Sequence, residues 1–281
     1  MSWRVAGLFF ALGVVTRIPF QTDYMWAHDS VLYARAIERF DPLDQRPQAP
    51  GYLYYVLLIR ALYAIVGDPN RAMTIVSLIA GAAAVALLYL FAARLYDERT
   101  ARASGAFLLT AVTFWAYGGV AYPYTLLAAL SIGCAMLLWL ALRAEGERGR
   151  RLLLATAAYG VAIGFRTDVA VFLAPLWLMA AWATPLLWVM ASAALGVVLV
   201  LVWFFASAAQ DGGVGLLLEA LRIQGKFIDE RYSVFGDLGL RALYGNMYEL
   251  GRFLGRGLYF IAPLLVAVPL SAGARRIEMS D

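Results

Sequence analysis

The sequence predicts an all-α, polytopic membrane bundle: one domain over residues 1–281 with about eight transmembrane helices and additional juxtamembrane helices on the outer face. Three observations lead there. The 281 residues are 63% hydrophobic and 15% charged, with a mean hydropathy of +0.72, whereas a soluble domain is about 45–50% apolar and about 25% charged. Apolar runs close to the roughly 20 residues that cross a bilayer recur from one end to the other, with no linker between them. The charges that interrupt these runs are mostly arginines gathered in short connections, as the positive-inside rule expects of cytoplasmic loops.

The apolar runs fall at residues 3–20, 51–66, 72–96, 103–120, 125–142, 152–165, 169–182, 185–206 and 253–270. The first leads into Thr16, Arg17 and Pro19 without a small-residue cleavage site, so it reads as a retained helix and not as a signal peptide. Arg4, the connections with Arg94/Arg99/Arg102 and Arg143/Arg148/Arg150/Arg151, and the tail with Arg275 and Arg276 all belong in the cytoplasm. Nine crossings would put Arg99 and the tail outside. Both conflicts vanish if residues 51–66 do not cross. That run is short, carries Arg60 in its middle, begins at Pro50-Gly51, and holds Tyr52, Tyr54, Tyr55 and Tyr63, as suits a helix lying at the interface. Eight crossings then place both termini in the cytoplasm of a cell-membrane protein, the inner membrane in a Gram-negative cell. Two long outer segments remain, residues 21–71 and 207–252, and chemistry is expected there. The lone Cys134 excludes an intrachain disulfide, and the net charge of +4, almost wholly arginine with Lys226 the only lysine, is no sign of a nucleic-acid partner.

In the first outer segment Leu32, Tyr33, Ala36, Ile37 and Phe40 recur at helical spacing, which predicts a short amphipathic helix. Asp29 stands at its start. A carboxylate there either caps free amides or is held at the membrane surface as a general base or metal ligand. His28, the only histidine, is a candidate metal ligand beside it. In the second segment Lys226 and Arg231 either meet a lipid phosphate or form a solvated basic surface. Arg166 and Asp168 are close enough for a local ion pair.

Asp29, Tyr33 one turn later, the stretch Arg46-Pro47-Gln48-Ala49-Pro50-Gly51-Tyr52-Leu53-Tyr54-Tyr55, the break Gly67-Asp68-Pro69-Asn70-Arg71, and Gly160 to Asp168 together resemble GT-C glycosyltransferases. The protein O-mannosyltransferases and lipid A aminoarabinose transferases are the most similar in pattern. The resemblance implies transfer of a sugar from a polyprenyl-phosphate carrier to a lipid, glycan or protein acceptor on the extracytoplasmic face, among membrane lipids. It implies Asp29 as the catalytic general base, and Tyr33, Arg46, Arg166, Lys226 and Arg231 as the residues holding sugar or carrier phosphate. Such enzymes usually carry a second acid after the first and another in the next outer loop, which points to a divalent metal ion. Here Ser30 replaces the second acid, and Ala121-Tyr122-Pro123-Tyr124 occupies the later loop. The chain stops where such proteins usually continue, and so reads as a short form or a fragment. The rival readings are a transporter or flippase of lipid-linked sugars and a catalytically silent membrane subunit.

Overall fold

The computed structural model describes residues 2–258, and every regular element in that range is helical. In chain order these are α1 (Trp3–Val15), α2 (His28–Glu38), α3 (Leu53–Val66), α4 (Pro69–Leu95), α5 (Glu98–Thr110), α6 (Val112–Tyr117), α7 (Tyr124–Arg143), α8 (Arg148–Phe165), α9 (Val169–Trp182), α10 (Leu186–Asp211), α11 (Val214–Arg231) and α12 (Leu240–Leu258), with short 3₁₀ turns at Ile18–Phe20 and Pro42–Asp44. Among the described residues four segments are long and apolar enough to cross a membrane: Trp3–Phe20, Pro69–Leu95, Tyr124–Arg143 and Leu186–Asp211. Leu53–Val66 and Val169–Trp182 are shorter apolar helices.

α4 is the central post, packed against α1, α3, α5 and α7. Its start is set by Asp68, whose side chain accepts the Arg71 N–H at 2.7 Å, and by Pro69 in the first turn, where a missing N–H breaks no helical bond. Small residues through its middle let neighbours close in: a Cβ added to Gly13 would sit 2.9 Å from Ala82 Cα.

Hydrogen bonds orient the bundle. Ser2 N–H donates to Tyr89 near the end of α4, and Arg94 reaches Met136 on α7, so Arg4 and the arginine-rich α4–α5 and α7–α8 connections share one end. At the other end Asn70 donates to the Thr22 carbonyl and Ser77 to the Tyr122 carbonyl, which places α2 there. α3 begins beside Tyr33 and ends where α4 starts, so both of its ends lie at the α2 end of the bundle.

One expectation changes. Residues 103–120 are not one helix: the chain kinks at Ala111 (ψ 110°) between α5 and α6. Thr110 Oγ1 donates to the Ala106 carbonyl at 2.8 Å and also approaches that of Phe107, a local bonding that bends helices, and β-branched Val112 and Thr113 follow. The second outer segment is helical, built from the end of α10, α11 and most of α12. Residues 253–258 of the last apolar run belong to α12, while 259–270 and the Arg275/Arg276 tail lie outside the described residues.

α2 buries Leu32, Tyr33, Ala36 and Ile37, the stripe its spacing predicts, with Tyr33, Ala36 and Ile37 in one cluster with Val56 and Ile59 of α3 and Trp203 of α10. Each such large side chain contributes roughly 1.5–3 kcal/mol. Arg60, in the middle of apolar α3, ties the other end of α2: Nη2 donates to the Ala36 carbonyl at 2.8 Å, Nε to that of Ile37 at 2.9 Å, and Nη1 to Gln210 at 3.0 Å. A cation on the last carbonyls of a helix also meets its negative pole. Arg60→Met is expected to destabilise the protein by about 3–6 kcal/mol, the two charge-assisted bonds to the helix carbonyls being lost together with the exposed one to Gln210. Thermal unfolding in detergent checks this, and an unchanged midpoint would show that α2 holds without the tie.

Candidate functional site

The catalytic candidate Asp29 lies in the first turn of α2, but it does not cap it. The N-cap residue is Ala27, which makes no side-chain capping bond. The Asp29 carboxylate turns instead to the α6–α7 loop, where Oδ2 accepts the Tyr122 hydroxyl at 2.5 Å.

The loop is fixed by its backbone. Ser30 Oγ donates to the Ala121 carbonyl at 2.7 Å, Ser77 Oγ to the Tyr122 carbonyl at 2.7 Å, Thr125 Oγ1 to the Ser77 carbonyl at 2.9 Å, and Thr22 N–H to the Gly119 carbonyl at 2.9 Å. Ser30, where a second acid was expected, thus serves as the tie that brings the loop to Asp29. Gly118 and Gly119 permit the approach, since a Cβ would fall 2.5 Å from Arg17 Cδ in one case and 2.6 Å from the Phe20 carbonyl in the other. Burial, and then the bond to Asp29, push the Tyr122 phenol above its ordinary pKa, so it is a neutral donor at physiological pH.

An aromatic wall joins this carboxylate to a cation. Tyr122 and Tyr124 have ring centres 4.6 Å apart, and the Arg166 guanidinium lies 4.9 Å from the Tyr124 ring and 5.7 Å from that of Tyr52. Arg166 Nε donates to both carboxylate oxygens of Asp168, at 2.9 and 2.8 Å, so the anticipated ion pair is present. Its two Nη groups bond to none of the described residues. Burial acts against its charge, but Tyr52, Asp168 and Tyr124 outweigh it and hold Arg166 above the usual guanidinium pKa, a permanent cation. Tyr52 enters α3 in the left-handed region (φ 47°) directly after Gly51 (φ 98°). A non-glycine residue held there costs on the order of 1–3 kcal/mol, and the turn sets the Tyr52 ring between Tyr33 and Arg166.

The structure therefore brings Asp29, Tyr33 and Arg166 together. Tyr33 is only 2% exposed and packs edge-on against Tyr55 and Tyr52, beneath the site. Arg46 is elsewhere: its Nε pairs with Asp44 at 2.7 Å, and Asp44 also pairs with Arg35, six residues beyond Asp29 and roughly 9 Å further along α2. Lys226 and Arg231 sit on α11, which packs against α10 and the Pro42–Asp44 turn. There Lys226 is 78% exposed and pairs with Glu230, and Arg231 lies over the Phe227 ring. His28 is exposed. The donors around Asp29 do not suit a divalent metal ion: one carboxylate already bonded to Tyr122, a serine tied to a carbonyl, and among the described residues no cluster of three or more His, Cys, Asp or Glu. Sequence reading missed Tyr122, Tyr124 and Tyr52 as members of the site. The available signal was the Tyr-Pro-Tyr run standing where an acid was expected.

Residues 48–208 match the family model described as dolichyl-phosphate-mannose-protein mannosyltransferase. That stretch runs from before α3 into the last turn of α10 and contains Tyr52, Tyr122, Tyr124, Arg166 and Asp168, while Asp29 precedes it. No curated protein and no solved structure matches the chain. With more than half of its 281 residues inside the match, on an all-helical bundle with membrane-length spans, the chain belongs to the dolichyl-phosphate-mannose-protein mannosyltransferase family, membrane glycosyltransferases of the GT-C type.

Proposed function

We propose that this protein transfers a sugar from a polyprenyl-phosphate carrier to an acceptor hydroxyl on the extracytoplasmic face of the cell membrane, with Asp29 as general base and Arg166 as the cation that receives the carrier phosphate. The observation that carries this reading is the Asp29–Tyr122 bond at 2.5 Å, continued through Tyr124 to Arg166, which places a basic carboxylate and a guanidinium with free donors in one aromatic cluster. Asp29 Oδ2 is occupied by Tyr122, which leaves Oδ1 to take the acceptor proton. The acceptor oxygen bonds to the anomeric carbon as the bond from that carbon to the phosphate oxygen breaks. The phosphate leaves with the electron pair, and the Arg166 Nη groups meet its charge with charge-assisted hydrogen bonds.

Purified protein in vesicles supplied with polyprenyl-phosphate sugars tests the reaction directly. Release of free polyprenyl phosphate with a glycosylated acceptor is expected. Movement of intact donor across the bilayer would establish a transporter instead, and neither event a silent subunit.

The topology belongs to the same proposal: eight crossings with cytoplasmic termini. The described crossings would be α1, α4, α5 with α6, α7, α8, α9 and α10, alternating in direction, with α3 along the outer surface; the remaining apolar run of the sequence, 253–270, extends outside the described residues. Support comes from the clustering of the arginine-rich connections at the end opposite Asp29. Because Cys134 is buried, a cysteine placed at exposed Arg99 is the reactive thiol. It should resist an impermeant reagent added outside intact cells, and outside labelling would invert the topology.

A further inference from the structure

Arg17 closes the first membrane helix with its side chain wholly covered, 0% exposed. Nη1 donates to the Gly13 carbonyl at 2.9 Å, Nε to that of Trp115 at 3.3 Å, and the Phe114 ring lies 5.8 Å away. Among the described residues Nη2 has no partner, and no carboxylate pairs with the charge. A buried guanidinium without a counter-charge is a costly arrangement, and a donor left unsatisfied adds to the cost. The catalytic cluster does not use Arg17.

The same residue lines a cavity of about 290 Å³ together with Thr22, Tyr24, Trp26, Trp115 and Tyr117. Among the described residues no other charged side chain lines it. Phe20, Tyr24 and Trp26 at its edge are more than half exposed, at 62%, 65% and 56%. Exposed aromatic side chains at the end of a membrane helix mark the headgroup layer, where lipid phosphates are concentrated. Tyr117 separates the cavity from the Asp29 site: its ring is 6.2 Å from Trp26 on one side and 6.0 Å from Tyr122 on the other.

We infer that this cavity is a second, non-catalytic site that takes the phosphate of a lipid headgroup, with Arg17 as its counter-charge. A phosphate supplies what the guanidinium lacks, a negative charge and an acceptor for Nη2, and the fork of an arginine suits phosphate oxygens. The aromatic edge receives the glycerol or prenyl portion. A lipid bound there packs against Gly119 of the loop that carries Tyr122. The inference stands whether or not Asp29 is the base.

The test follows the unfolding midpoint of the purified full chain in detergent as dioleoyl phosphatidylglycerol, polyprenyl phosphate or inorganic phosphate is added, with dioleoylglycerol as the phosphate-free control. A saturable rise with at least one phosphate-bearing probe is expected, and the effective probe identifies the source of the phosphate. Arg17→Met should weaken the apparent affinity at least tenfold. Ala116→Phe, which fills the cavity from an exposed position and leaves the Arg17 bonds in place, should do the same and decides the matter if Arg17→Met does not fold. No rise with any phosphate probe, an equal rise with dioleoylglycerol, or the absence of any phosphate-dependent rise that Ala116→Phe abolishes would overturn the inference. A polyprenyl-phosphate effect that survives there but is lost in Arg166→Met belongs to the catalytic cluster.

Discussion

Asp29→Asn should abolish sugar transfer while the protein still folds and binds carrier. Asparagine keeps the size of the side chain and an oxygen to accept the Tyr122 hydroxyl, so the loop contact persists. What disappears is the basic carboxylate. A general base contributes about 10²–10⁴ in rate, roughly 3–5 kcal/mol of barrier. Stability should hardly move, because Asp29 makes no capping bond and Ala27 occupies the N-cap position. Tyr122→Phe is the companion: it removes one bond to a charged group, about 1.5–3 kcal/mol, and should slow turnover roughly 10- to 100-fold through misplacement of Asp29. Rates from the vesicle assay and unfolding midpoints of both variants check the pair. Near-normal turnover in Asp29→Asn would remove Asp29 from the chemistry. Loss of folding in that variant would make the carboxylate a structural element.

What could be read in advance was local. The amphipathic stripe of α2 follows from the spacing of Leu32, Tyr33, Ala36 and Ile37, and burying it leaves Asp29 at the start of the helix and half-exposed. The Arg166–Asp168 pair is two residues apart and forms within its own turn. Tyr122 is different: 93 residues separate it from Asp29, and they meet because α4 carries Ser77 under the loop and Ser30 pulls on Ala121. No periodicity encodes such a meeting. Arg46 fails as a neighbour of Asp29 for the opposite reason, since Asp44, two residues before it, captures the guanidinium locally. The kink at Ala111 escaped because hydropathy does not register a threonine bonding back to its own helix. Arg60 looked like a mark of an interfacial helix. Its side chain is also the fastening of α2, a role visible only once the Ala36 and Ile37 carbonyls are in place.

Arg166→Met should cut carrier use severely without unfolding the bundle. The residue lies between α8 and α9, and its bond to Asp168 spans two residues, so helix packing does not rest on it. If both Nη groups donate to the departing phosphate, the loss of two charge-assisted bonds at about 1.5–3 kcal/mol each lowers kcat/KM by roughly 10²–10⁴. Arg166→Lys should fall between wild type and methionine: it keeps the charge but not the two-pronged donor set or the flat face on Tyr124 and Tyr52. Asp168→Asn separates positioning from charge. It removes the partner that orients Nε while leaving the cation in place, so KM should rise several-fold with kcat little changed. The comparison that decides is carrier binding itself, measured with a non-transferable polyprenyl phosphate. If Arg166→Met binds it as wild type does and turns over normally, the phosphate is held elsewhere. Arg17, another cation at this end of the bundle with an unpartnered donor, would then be the residue to examine.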